Sequence, residues 1–72
     1  MNDEYVYFCP MRPPMLGSVP KDGLLYVGGF TERQYVRAID CMAWGWAVYK
    51  RELTPREIYD YELIMKPREE SK

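Results

Sequence analysis

Two thiols, Cys9 and Cys41, and eleven carboxylates are the side chains with which this chain could do covalent or acid–base chemistry, and no histidine accompanies them. That removes the usual general base and the commonest metal ligand together. Cys9 and Cys41 lack the paired spacing of a zinc site, and no third or fourth soft ligand joins them. Gly28-Gly29 is not a phosphate loop, because no Lys-Ser/Thr pair follows it. Among the acids, Asp3, Glu4, Glu69 and Glu70 fall in tails, and Glu57 belongs to a helix cap. The expectation is therefore a protein that is not an enzyme, with no catalytic, cofactor-binding or metal-ligating residue.

Binding is the remaining kind of chemistry. Trp44-Gly45-Trp46 followed by Tyr49-Lys50-Arg51 has aromatics that can stack on bases and cations that can hold phosphates. The competing reading puts both tryptophans in the core, because a domain this small needs bulky apolar residues. Met11-Arg12-Pro13-Pro14 suits either a stiff ordered loop or an extended ligand for an aromatic groove. The candidate interaction surface is Tyr5, Tyr7, Arg12, Tyr49, Lys50 and Arg51. Ten basic residues against eleven acidic ones give a net charge of −1, so no global basic field draws the chain to nucleic acid or an anionic membrane.

The elements that must position these residues follow from pattern. Tyr5 to Cys9 is β-branched and aromatic, a strand with both faces apolar. Pro10 to Gly23 holds four prolines and can be neither helix nor inner strand. Its Met11, Met15, Leu16 and Val19 ask for cover, so an extended segment wrapped on the core is expected. Leu24 to Val27 reads as a second strand ended by Gly28-Gly29. Thr31 with Gln34, flanked by Phe30 and Tyr35, predicts a helix start, continued at helical spacing by Ala38, Ile39 and Met42. Ala43 to Arg51 alternates with period two. Trp44, Trp46 and Val48 are expected toward a thick core, with Ala43, Gly45, Ala47 and Tyr49 on a flatter face. Thr54, Pro55 and Glu57 spell a capping box with proline at the first helical position, and Leu53 and Ile58 staple it. Tyr61 to Met65 reads as a last strand with Tyr61, Leu63 and Met65 inward, a continued helix being the alternative.

The sum is an α+β fold, β-β-α-β-α-β: a small, mostly antiparallel sheet of about four strands with one or two short helices. A single domain is expected over 1–66, with a charged tail over 67–72. An apolar fraction of 47%, with seven Tyr, two Trp and two Phe, puts the chain outside the disordered regime. Two cysteines are too few for a secreted disulfide scaffold. The acidic amino terminus is unlike a signal peptide, and no segment approaches a membrane span. A reduced, cytoplasmic protein is expected, its thiols filling space in the fold. Because two short helices cannot cover both faces of four strands, self-association is expected through the uncovered apolar surface.

The series Arg12-Pro13-Pro14, Gly17, Val19-Pro20, Arg33-Gln34-Tyr35-Val36, Ala43-Trp44-Gly45, Tyr49, Arg51-Glu52-Leu53-Thr54 and Tyr61-Glu62-Leu63 resembles small proteins of Gram-positive gut bacteria. Those are often encoded near conjugative or phage-derived elements. The resemblance implies a bacterial, cytoplasmic setting and an accessory role, and brings no activity or functional residue with it. The function expected is a non-enzymatic protein-interaction module whose partner is a second copy or an unidentified protein. The alternative is a nucleic-acid-binding accessory protein of a mobile element.

Overall fold

A computed structural model describes residues 4–15 and 17–67. The order is β1 (Tyr5–Cys9), β2 (Leu24–Val36), β3 (Cys41–Tyr49), α1 (Pro55–Asp60) and β4 (Ile64–Met65). The four strands form one antiparallel sheet in the order β2-β3-β1-β4. This is the expected α+β architecture with one helix. Leu16 and the expected tail beyond Pro67 lie outside the described residues.

The helix expected from Thr31 does not form. Residues 24–36 are one long strand, and Gln34, Tyr35 and Val36 pair with Ala43, Met42 and Cys41. The cap-like Thr31 and Gln34 sit among Phe30, Tyr35 and Val36, aromatic and β-branched residues that suit a pleated surface. Pairing with β3 then outweighs a local cap pattern. Asp40 closes the Arg37–Asp40 turn in the left-handed region, at φ 54°, which Asp tolerates better than most residues. The Tyr35 hydroxyl donates to the Asp40 carboxylate.

β2 carries two register shifts against β3, one between Leu24 and Tyr26 and a wider one between Gly29 and Gln34, where Gly29 faces Gly45 and Gln34 already faces Ala43. The surplus residues, Phe30 to Arg33, form a wide irregularity of the kind that bends a strand. The turn beyond it is carried back across the sheet. Its Ala38 shares the lining of a cavity of about 520 Å³ with Tyr5, Val6, Met65 and Lys66.

The two faces of the sheet reverse the expected packing. Ala43, Gly45, Ala47 and Tyr49 are buried, whereas Trp44 and Trp46 are only half-buried. The main core gathers Tyr7, Cys9, Val19, Ala47, Tyr49, Leu53 and Leu63, with Ile58 of the helix packed against it. Small residues on β3 let the proline-rich segment lie close: a methyl group added at Gly45 would stand 2.7 Å from Cγ of Pro14. Of that segment's apolar residues Val19 is buried, whereas Met11 and Met15 are about 60% exposed, at 60% and 62%. The wrap is as expected; the cover for both methionines is not.

The helix starts as its sequence predicts. The Thr54 hydroxyl accepts from the Glu57 amide at 3.2 Å, and the Glu57 carboxylate accepts from the Thr54 amide at 2.9 Å. It ends with a different device. Leu63 N–H donates to Ile58 C=O and Glu62 N–H to Tyr59 C=O, around Glu62 at φ 55°. This is a Schellman closure without its usual glycine. It leaves Tyr61 and Leu63 directed to the core and confines the last strand to Ile64–Met65.

Arg51 joins the cap through a two-pronged contact to Glu57, at 3.0 and 2.7 Å. With the Thr54 amide, it lowers the Glu57 carboxyl from 4.5 to about 2. A folded value below the unfolded one contributes stability that is complete above the ordinary carboxylate range and is lost as pH falls toward 2. Thr54→Ala is expected to cost about 1 kcal/mol in denaturant titrations at neutral pH. Glu57→Gln is expected to flatten the decline in the unfolding midpoint between pH 4.5 and 2. A decline as steep as in the parent chain would show that other acids govern it.

Candidate interaction surface

The expected interaction residues are divided by the fold. Tyr7 and Tyr49 have no exposed area. Their rings meet edge to face, with centroids 5.8 Å apart, and each hydroxyl anchors one cover of the core. Tyr49 donates to the Pro20 carbonyl at 2.6 Å, holding down the proline-rich segment. Tyr7 accepts from the Leu53 amide at 2.8 Å, fixing the approach to α1. Burial raises the pKa of both phenols. Tyr5 is half-buried against the same core. Arg12 is exposed and bonds Glu62 at 2.5 Å, and Lys50 is exposed. Arg51 is bound to Glu57 and to the Asp22 carbonyl. The six residues therefore do not form one surface.

Cys9 is buried, and its thiol is pushed up to about 11 by the loss of solvent, against a smaller lowering by Arg12. That is a packed thiol, protonated at neutral pH. Cys41 is half-buried in β3. Among the described residues no three of Cys, Asp and Glu come together in a group fit for a metal ion. No described helix is long and apolar enough to cross a membrane.

The tryptophan face is occupied by the chain itself. A methyl group added at Gly28 would fall inside the Trp46 indole, with Nε1 2.8 Å away, so the ring lies directly over Gly28. Phe30 tilts against the same ring, with centroids 5.2 Å apart. Phe8 and Val48 share this face through the pairs Phe8–Trp46 and Val6–Val48. They are 9% and 2% exposed although the helix packs on the other side. Trp46, with Phe30 against it, stands on the same face as Phe8. Stacking a base on Trp46 would require displacing Phe30.

What stays open is an edge. Among the described residues, β2 has a strand neighbour only on its β3 side. From Leu24 to Gly29 it carries no charge and no proline, and Leu25 and Tyr26 are 46% and 52% exposed. Natural sheets protect long edges with charges, prolines or bulges. Here one irregularity lies between Leu24 and Tyr26, and a wider one, with the charges Glu32 and Arg33, comes after Gly29. No motif in the sequence marks this edge, since the run reads as an ordinary strand until the strand order is known.

Residues 2–68 match the family described as defence against restriction A C-terminal. The chain belongs to that family. No match was found among curated proteins or among solved structures. Defence against restriction is a need of DNA that moves between cells, so the defence-against-restriction A C-terminal family agrees with the mobile-element association already suggested by resemblance. The match spans every element from β1 to β4.

Proposed function

We propose that this domain is a non-enzymatic protein-interaction module acting in defence against restriction, encoded on a conjugative or phage-derived element and working in the bacterial cytoplasm. The single observation that carries the defence role is the family match over residues 2–68. The interaction role is supported by the stretch of β2 from Leu24 to Gly29, which carries no charge and exposes Leu25 and Tyr26. The lack of histidine and the protonated, buried Cys9 thiol support a binding rather than a chemical part. The earlier resemblance adds Gram-positive gut bacteria as the setting.

The test is transfer of the parent mobile element, with or without the gene, into matched hosts that carry or lack a restriction system. Deletion is expected to lower transfer only into the restricting host, and purified protein is expected neither to cut nor to modify DNA. An equal fall in both hosts, or none, would remove the defence reading. Cleavage or modification by the pure chain would remove the non-enzymatic one.

A further inference from the structure

We propose that the outward side of the β2–β3 hairpin, centred on Tyr35 with Arg33 and Arg37 to either side, binds single-stranded nucleic acid. This goes beyond the protein-interaction reading and does not rest on it. The fold breaks up the aromatic and basic platform expected at Trp44 to Arg51, and the hairpin assembles another. Burial tells the two sides of the hairpin apart. Gln34 and Val36 pair with Ala43 and Cys41. Ala43 has no exposed area, and Val36 and Cys41 are half-buried, so that side turns to the fold. Tyr35 pairs with Met42 on the other side, and the two are 57% and 37% exposed.

Side chains alternate along a strand, so Arg33 and Arg37 come to the exposed side with Tyr35, each about 7 Å from it along the chain. Both arginines are exposed, and neither makes an ion pair among the described residues. By the same alternation Glu32 falls with Gln34 on the opposite side. A chain of net charge −1 therefore still offers a local cationic strip. The neighbouring carboxylate, Asp40, accepts the Tyr35 hydroxyl and so holds the ring in place. The result is a fixed aromatic plane between two guanidiniums. A single strand answers all three groups, its phosphates meeting the arginines while an unpaired base lies on the ring. In a duplex the bases stack on one another and leave no face for Tyr35. An acidic peptide would engage the arginines and leave the ring without a flat partner.

The probe is a labelled oligothymidylate of about 12 nucleotides, titrated with the full chain at low salt and read by fluorescence anisotropy. Saturable binding is expected, with log K falling against log salt at a slope of about −1.4, the value for two phosphate contacts on a single strand. The same sequence as a duplex, and polyglutamate, are expected to bind at least about fivefold more weakly, because neither stacks on Tyr35. Tyr35→Val keeps a β-branched residue in the strand and is expected to cost a similar factor. Arg33→Gln and Arg37→Gln should each halve the slope, to about −0.7. Circular dichroism melts check that the variants are folded, and if Tyr35→Val is not, the two arginine variants still decide. Absence of binding overturns the proposal, as does binding indifferent to these substitutions. Polyglutamate bound as tightly as the oligonucleotide overturns it in favour of an acidic polypeptide, and duplex bound as tightly overturns the single-strand preference on which it stands.

Discussion

Replacing Gly45 with alanine is expected to destabilise the domain by about 3 kcal/mol, at the upper end of what overpacking usually costs. The added methyl would collide with the Gly28 carbonyl oxygen and stand 2.8 Å from the Gly29 Cα, both backbone atoms of the neighbouring strand. It would also reach 2.7 Å from Cγ of Pro14. Main chain on one side and a proline ring above cannot be relieved by turning a rotamer, so β2, β3 or the proline-rich segment must move. The partner across the ladder is the control. At Gly29 an added methyl meets only the Trp44 carbonyl oxygen at 3.8 Å, an ordinary contact, and Gly29→Ala is expected to be neutral or slightly stabilising. Denaturant midpoints of the two variants, compared with the parent, provide the measurement. Equal midpoints for both would mean that the segment over Gly45 is not packed as described.

Tyr49→Ala is expected to cost roughly 3–5 kcal/mol, within reach of the entire stability of a small domain. The ring is fully buried, meets Tyr7 edge to face and sits between the sheet and the proline-rich segment. Its removal opens a cavity and also frees the segment that its hydroxyl holds through Pro20. Tyr49→Phe separates these effects. It keeps the packing but leaves the Pro20 carbonyl without its donor, an expected loss of about 1–3 kcal/mol. Thermal melts followed by circular dichroism should rank the chains parent, phenylalanine, alanine. An alanine variant that melts like the parent would place Tyr49 outside the core. The corresponding loss at Tyr7 acts on the other cover, through the Leu53 amide.

Much of the architecture was legible before folding. β1, β3 and the start of α1 were readable because each rests on local features: a β-branched aromatic run, period-two alternation, and a cap with four coinciding signals. Balanced charge and the absence of histidine led to the expectation of a binding role, and the order of Arg, Pro, Trp and Tyr motifs pointed to mobile elements in advance of the family match. Three decisions belonged to the tertiary structure. Phe30 to Met42 carried a helix-like cap pattern, but pairing of Gln34–Val36 with Cys41–Ala43 made it a hairpin. Which face of β3 became the main core was not contained in the alternation, since small residues at Ala43, Gly45 and Ala47 are equally what a tightly wrapped proline segment requires. The end of α1 was hidden because Glu62 holds a left-handed position usually given to glycine. The open edge of β2 exists only through the strand order, because period and composition say which residues form a strand and not which strand is left without a neighbour.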